Sequence, residues 1–147
     1  MSDTLIIIQA RMGSKRLPGK MLMKLSHYTI IEWVIKRIKK MKSKAKIIIA
    51  TTKEKEDDKI SQIGRLNKLK VFRGPKNDVL QRFYLAAKKF KAKYVVRICA
   101  DNPFIDFREI DLLVKKFKSK KNDYAFNHRN KLNSLYADGF GAEILTY

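Results

Sequence analysis

The sequence is poor in residues that cross-link or break a chain, and it has no long apolar run. It holds one cysteine, Cys99, with three prolines and six glycines in 147 residues. A single cysteine excludes a disulfide within the chain, which suits the reducing cytosol, and we expect Cys99 to be a small core residue. No apolar run approaches the roughly 20 residues of a membrane-spanning helix, and Met1–Thr4 carries no basic leader. We therefore expect a cytoplasmic protein without a membrane span or a signal peptide.

Acidic residues are scarce as well, with 14 against 34 basic ones and a formal net charge of +20. Such a charge has two explanations, a polyanionic partner such as nucleic acid or a solvated, lysine-rich surface. Most of the basic residues are lysines that are spread along the predicted helices and do not form one tail or block. This spread favours the solvated surface, and nucleic acid stays as the less favoured alternative.

Short apolar runs alternate with longer amphipathic segments along the chain. The predicted strands are Leu5–Gln9, Lys46–Thr51, Lys70–Phe72 and Tyr94–Cys99, with later strands at Tyr124–Phe126 and Ala142–Leu145. The predicted helices are Ile30–Met41 with Thr29 as N-cap, Lys55–Leu66, Asp78–Phe90 and Phe107–Phe117. Apolar spacing assigns Val79, Leu80, Phe83 and Ala87 to one face of the third helix. The alternation predicts a single α/β domain over residues 1–147, with helices on both faces of a mostly parallel sheet.

Ligands of such sheets bind beyond the carboxyl ends of the strands, and the segment from Arg11 to Lys20 directly follows the first strand. It contains four cations and two glycines, Gly13 and Gly19, which lack a Cβ and let the backbone approach a ligand closely. Arg and Lys side chains suit phosphate oxygens, and anion-binding loops combine these features. We predict a polyphosphate site here, and the alternative is a solvated basic turn.

A second candidate lies at the end of the fourth predicted strand, where Asp101 is followed by Asn102 and Pro103. A carboxylate in this place, facing a cationic loop, can hold Mg²⁺ against nucleotide phosphates. Asp-Asn-Pro is also strong turn chemistry, and both roles can hold together. Asp106 is expected as the N-cap of the next helix. The sequence has neither dinucleotide-binding nor P-loop fingerprints and no zinc-ligand spacing, so we expect neither a nicotinamide cofactor nor zinc.

These segments resemble a known family. Ile8-Gln9-Ala10-Arg11 through Arg16-Leu17-Pro18-Gly19-Lys20 resembles the opening signature of the CMP-sugar synthetases, which are the acylneuraminate and 3-deoxy-manno-octulosonate cytidylyltransferases. Arg97–Ile105 resembles the metal-aspartate motif of the same family. The likeness is greatest to the spore coat polysaccharide biosynthesis protein F branch, which also matches Ala50-Thr51-Thr52, Glu56-Asp57-Asp58, Asp78–Phe83, Asp138-Gly139 and Glu143. The matches follow the family's order and cover nearly all of the chain.

The resemblance implies a Rossmann-like fold of the nucleotide-diphosphosugar transferase type. It also implies a Mg²⁺-dependent reaction in which CTP and a sugar, expected to be a 2-keto sugar acid, give a CMP-sugar and pyrophosphate. The implied catalytic residues are Arg11 and Lys20, which hold the triphosphate with help from Lys15 and Arg16, and Asp101, which binds Mg²⁺. The implied nucleotide-binding residues are Ala10, Arg11, Gly13, Ser14, Arg16, Lys20, Thr51, Asp78 and Arg82. The implied sugar-binding residues are Asn102, Tyr136, Asp138 and Glu143.

Some of these residues also have purely structural interpretations. Thr51 can simply end a strand. Asp78 can cap a helix while Arg82 is solvated, and Asp138 can belong to an Asp-Gly turn before an edge strand. These alternatives stay open at the level of the sequence.

The chain departs from the family's pattern toward its end. It is shorter than family members, lacks their late Asp-rich segment with a second metal carboxylate, and has Ala137 and Gly141 where Pro and Asp are usual. We therefore expect a domain that is incomplete at its C-terminus, with Ala142–Leu145 as an incomplete sheet edge unless a partner covers it. A non-catalytic CTP-binding fragment is the alternative to an enzyme, and a homodimer is a further expectation.

Overall fold

The computed structural model describes residues 2–14, 16–120, 122–127 and 141–147, and a six-stranded sheet organises them. Its strands are β1 (Thr4–Gln9), β4 (Lys46–Thr52), β5 (Lys70–Gly74), β6 (Tyr94–Cys99), β7 (Tyr124–Phe126) and β8 (Glu143–Thr146). The spatial order is β5-β4-β1-β6-β8-β7. The first four of these strands are parallel, whereas β8 pairs antiparallel with both β6 and β7. A separate antiparallel hairpin joins β2 (Lys24–Leu25) to β3 (Tyr28–Thr29).

Four α-helices connect the strands of the main sheet. They are α1 (Ile30–Ile38), α2 (Asp58–Leu66), α3 (Val79–Phe90) and α4 (Phe107–Ser119). A capping box starts α1, because the Thr29 side chain accepts the Glu32 amide while the Glu32 carboxylate accepts the Thr29 amide. Asp106 caps α4 by accepting the Arg108 amide at 2.9 Å. Both predicted N-caps are confirmed.

The helices cover both faces of the sheet, as the sequence predicts. The larger core contains apolar side chains of α1, α2 and α4 packed on one face, and the smaller core contains those of α3 on the other. β1 contributes to both, since Ile6 and Ile8 face the larger core while Leu5 and Ile7 face the smaller one. The predicted mostly parallel α/β fold is confirmed. Among the described residues, no helix is both long enough and apolar enough to cross a membrane.

Several local predictions need correction. α1 ends at Ile38, and a 3₁₀ turn at Lys55–Asp57 precedes α2. Leu80 is 79% exposed and Ala86 is buried instead, because Arg82 occupies the inner face of α3. The strand β8 is not a sheet edge, since β6 and β7 pair with its two sides. Among the strands that the structure describes, the short strand β7 forms that edge.

The order of the strands places a crevice beside β1. From β1 the chain moves outward through β4 and β5, and α3 then carries it back across β1 to β6. Chain direction across the sheet therefore reverses between β1 and β6. In open α/β sheets, this switch point opens a crevice at the carboxyl ends of the strands.

Candidate active site

A cleft of about 670 Å³ lies at this switch point. Six of the residues that line it are sequence-predicted site residues, namely Arg11, Gly13, Ser14, Arg16, Lys20 and Asp101. The other six are Gln9, Leu17, Met21, Lys76, Asn77 and Cys99. The two segments that the sequence singles out, after β1 and after β6, therefore form one site.

An ion pair joins these two segments across the cleft. The Lys20 Nζ atom lies 2.7 Å from the Asp101 Oδ2 atom, although 80 residues separate them in sequence. The side chains keep 30% and 42% of their surfaces exposed, so a ligand can reach both. Gly19 has a φ of 72°, a backbone conformation that residues with a side chain rarely adopt. It precedes the 3₁₀ turn Lys20–Leu22, which starts with the lysine that pairs with Asp101.

A buried carboxylate, Asp57, holds the start of the cationic loop Arg11–Lys20 in place. One Asp57 oxygen accepts the Met12 amide at 2.7 Å, and the other accepts the amide and the hydroxyl of Thr52. Burial alone would raise the pKa of Asp57, but these hydrogen bonds outweigh burial and hold it below its usual value. Asp57 therefore ties the end of β4 and the start of α2 to the loop after β1.

A buried cation, Arg82, lies behind the same loop. None of its surface is exposed, and its Nη1 atom donates to the Pro75 carbonyl at 2.7 Å. Burial lowers the pKa of Arg82, and the nearby positive charge of Arg11 lowers it further, while Asp57 opposes both. The space for this side chain exists because residue 74 is glycine, since a Cβ there would lie 2.9 Å from the Arg82 Cγ atom.

A polar cluster borders the cleft on the side of β6. Arg97 donates to both carboxylate oxygens of Glu143 on β8, at 3.2 and 3.0 Å, and to the side-chain oxygen of Gln9 on β1. Burial alone would lower the pKa of Arg97, but its hydrogen bonds to Glu143 and the negative charge around it raise that pKa. The guanidinium also lies 3.8 Å from the Cys99 sulfur. Cys99 is exposed and lines the cleft, so its predicted core position is wrong.

Three predicted nucleotide-binding residues do not reach the cleft surface. Ala10 is buried and donates its amide to the Ala50 carbonyl, so it continues the sheet. Thr51 is fully buried at the end of β4. Arg82 has no exposed surface, so the alternative prediction that its side chain is solvated is wrong. In this conformation the Arg82 side chain cannot contact a nucleotide directly. None of the three lines the cleft.

The remaining predicted residues divide into two groups. Asp78 is exposed and caps α3 by accepting the Gln81 amide at 2.7 Å, as the structural alternative expects. Asn102 forms the turn after β6, where its carbonyl accepts the Ile105 amide. Glu143 is held by Arg97. Lys15, Tyr136 and Asp138 lie outside the described residues, and a nucleotide or sugar role for any of these residues stays a prediction.

Several residues that shape the site are not among the predicted site residues. Lys76 and Asn77 come shortly after β5, the third parallel strand along the chain. Ligands of such sheets bind beyond the carboxyl ends of the strands, so their position marks them as site candidates in the same way as Lys20 and Asp101. Asp57 carries a subtler signal, an acidic residue shortly after a buried strand that ends in two threonines. Gln9 is the last residue of β1.

The site offers one carboxylate that suits a hard cation. Among the described residues that line the cleft, Asp101 is the one carboxylate, and the described residues contain no group of three or more His, Cys, Asp or Glu side chains that could hold a metal alone. Mg²⁺ is commonly held by one or two carboxylates together with substrate phosphates and waters. The donor set therefore fits Mg²⁺ bound with a polyphosphate, and it does not form an all-protein metal site.

Comparisons with known proteins agree with this geometry. A family model described as cytidylyltransferase matches residues 5–136. The spore coat polysaccharide biosynthesis protein SpsF of Bacillus subtilis is 33% identical over 130 residues, which are 86% of this chain and 54% of that protein. The 3-deoxy-manno-octulosonate cytidylyltransferase of Fusobacterium nucleatum is 30% identical over 116 residues, which are 79% of this chain and 46% of that protein.

A solved structure of a cytidylyltransferase from Leptospira borgpetersenii is also similar. It superposes with a TM-score of 0.89 at 36% identity, over 99% of this chain and 61% of that one. The chain thus spans about half the length of the curated relatives that it matches.

Proposed function

The chain belongs to the cytidylyltransferase family, and on this premise we propose that it transfers CMP from CTP to a sugar acid and releases pyrophosphate, with Mg²⁺ as cofactor, for surface polysaccharide biosynthesis. The observation that carries the proposal is the Lys20–Asp101 pair at 2.7 Å, which puts a phosphate-binding cation and a metal-binding carboxylate in one exposed cleft. The names of the relatives support the nucleotide, the sugar acid and the polysaccharide.

The reaction needs positioning and charge neutralisation rather than a covalent nucleophile on the protein. A sugar hydroxyl attacks the α-phosphorus of CTP in line and gives up its proton to water. A new phosphorus–oxygen bond forms, and the bond from the α-phosphorus to the oxygen that bridges it to the β-phosphate breaks. Arg11 and Lys20 hold the triphosphate oxygens, and Arg16 and Lys76 add positive charge along the same cleft. Pyrophosphate leaves with the negative charge that these cations stabilise.

Asp101 is the residue that would hold Mg²⁺. When bound, the ion supplies additional positive charge against the phosphate oxygens. Lys20 and Asp101 neutralise each other in this structure. When a nucleotide binds, Lys20 can donate to its phosphate oxygens instead of to Asp101. Asp101 is then free to bind Mg²⁺.

The test incubates the protein with CTP, Mg²⁺ and a set of 2-keto sugar acids and measures pyrophosphate. We expect release with at least one acceptor, a CTP affinity about tenfold weaker in Lys20→Ala, and loss of Mg²⁺-dependent turnover in Asp101→Asn. Lys118→Ala is the matched control, because Lys118 forms a comparable exposed pair with Asp3 away from the cleft. If wild type does not bind CTP, or if Lys20→Ala and Lys118→Ala bind CTP equally well, the proposal is wrong.

A CTP-binding protein without turnover is the second candidate. It is favoured by the single carboxylate among the described cleft residues. Calorimetry with CTP, together with the pyrophosphate assay, distinguishes the two candidates. CTP binding without pyrophosphate release from any acceptor would select this one.

A further inference from the structure

Arg82 presents an unusual combination of complete burial and incomplete hydrogen bonding. Its side chain is fully buried, and its Nε and Nη2 atoms have no hydrogen-bond partner among the described residues. Buried donors without acceptors, and buried charges without close counterions, destabilise a fold. Arg82 forms no ion pair within the described part of the chain. An apolar side chain of similar size would serve packing better.

The groups around Arg82 connect it to residues that line the cleft. In the described part of the chain, its one side-chain hydrogen bond goes to the carbonyl of Pro75, and the next two residues, Lys76 and Asn77, line the cleft. Its charge lies close enough to that of Arg11, which lines the cleft, for the two to repel each other. Asp57 lies near enough to offset part of that charge, but its two oxygens already accept three hydrogen bonds from Met12 and Thr52.

We propose that Arg82 is a positioning residue for polyphosphate binding. It holds the segment that carries Lys76 and Asn77 in place. Its buried charge also adds to that of Arg11, so the cleft keeps positive charge that the protein does not fully neutralise. An incoming polyphosphate supplies the missing counter-charge without touching Arg82. The inference rests on the proposed function for the identity of the ligand, but it concerns phosphate binding alone.

The principal experiment compares wild type with Arg82→Met, using inorganic tripolyphosphate and cytidine as separate probes in calorimetry. Methionine keeps much of the volume and removes the charge and the unpaired donors. We expect tripolyphosphate to bind about tenfold more weakly, and the weak affinity for uncharged cytidine to stay within about twofold. We also expect the thermal midpoint to be unchanged or higher. A residue with only a structural role would lower the midpoint and weaken both probes together.

Two further variants connect the effect to charge and to Arg11. Arg82→Lys keeps the charge and should recover most of the tripolyphosphate affinity. A double-mutant cycle with Arg11→Met should be non-additive, because Arg82 acts partly through Arg11. Arg65→Met, which removes an exposed arginine on α2, is the matched control and should bind tripolyphosphate like wild type.

The outcomes separate this inference from the proposed function. Equal tripolyphosphate affinity in wild type and Arg82→Met, or a lower midpoint or failure to fold in Arg82→Met, would overturn the inference. Tripolyphosphate binding that depends on Arg82, in a protein that neither prefers CTP nor releases pyrophosphate, would overturn the proposed function and leave the inference standing.

Discussion

The cleft has two layers that differ in how they are held. The open layer, Arg11, Lys20 and Asp101, is accessible to solvent, and its one ion pair joins partly exposed side chains. The buried layer, Asp57 and Arg82, is fully enclosed, and backbone groups supply most of its hydrogen bonds. Exposed ion pairs contribute little to stability, whereas buried polar groups depend strongly on their partners. The open layer can therefore rearrange around a ligand, while the buried layer fixes where the open layer begins.

This difference predicts that substitutions in the two layers separate stability from ligand binding. The largest loss of stability is expected for Asp57→Ala, which leaves the amides of Met12 and Thr52 and a hydroxyl without their acceptor. We expect the free energy of unfolding to fall by about 3 kcal/mol. Urea denaturation measures it, with Asp58→Ala as the control, because Asp58 is the exposed neighbour. Equal losses in the two variants would remove the distinction between the layers.

The next largest effect is expected at Gly74, the residue that makes room for Arg82. A Cβ there would lie 2.9 Å from both the Arg82 Cγ atom and the Phe72 Cε1 atom, so Gly74→Ala should lower the free energy of unfolding by about 2 kcal/mol. In Gly13→Ala the nearest contact is the flexible end of Glu56, at 3.0 Å, and the loss should stay below about 0.5 kcal/mol. A Gly74→Ala protein as stable as Gly13→Ala would show that the buried layer is loosely packed.

A smaller effect is expected from acid. The pKa of Asp57 is lowered in the folded state, so the stability that this carboxylate contributes is present above its unfolded pKa of about 3.9 and is lost as the pH falls through the folded pKa. Urea midpoints between pH 6 and the acid limit of folding should fall more steeply for wild type than for Asp57→Asn. Parallel curves would mean that Asp57 titrates alike in the folded and unfolded states.

The smallest change in stability is expected in the open layer. Lys20→Ala should change the free energy of unfolding by no more than about 0.5 kcal/mol, because the Lys20–Asp101 pair is exposed. The same variant should lose CTP affinity, so the two measurements diverge in one protein. A loss of stability as large as that of Asp57→Ala would place Lys20 in the buried layer.

The sequence predicts the open layer and most of the sheet because both depend on local patterns. Apolar runs predict the four parallel strands. Charged residues in the segments that follow two of these strands then predict Lys20 and Asp101 as site residues. The position of β8 between β6 and β7 depends on pairing between distant segments, which no local pattern encodes.

The buried layer escapes prediction for a different reason. A charged side chain is ordinarily solvated, so Leu80 rather than Arg82 is assigned to the inner face of α3. The actual arrangement depends on the absence of a Cβ at Gly74 and on the Pro75 carbonyl, which meet Arg82 only after β5 and α3 have packed.

The exposure of Cys99 gives the protein a built-in reporter of its own cleft. It is the only cysteine of the chain and lies among the cleft residues, so a thiol reagent modifies one position, beside Asp101. Burial by neighbouring groups raises the pKa of the thiol, and the positive charge of Arg97 offsets only part of this effect. Alkylation should therefore be slow at neutral pH and faster at alkaline pH, where more of the thiol is ionised. The rate of labelling would then measure occupancy of the cleft without any engineered cysteine.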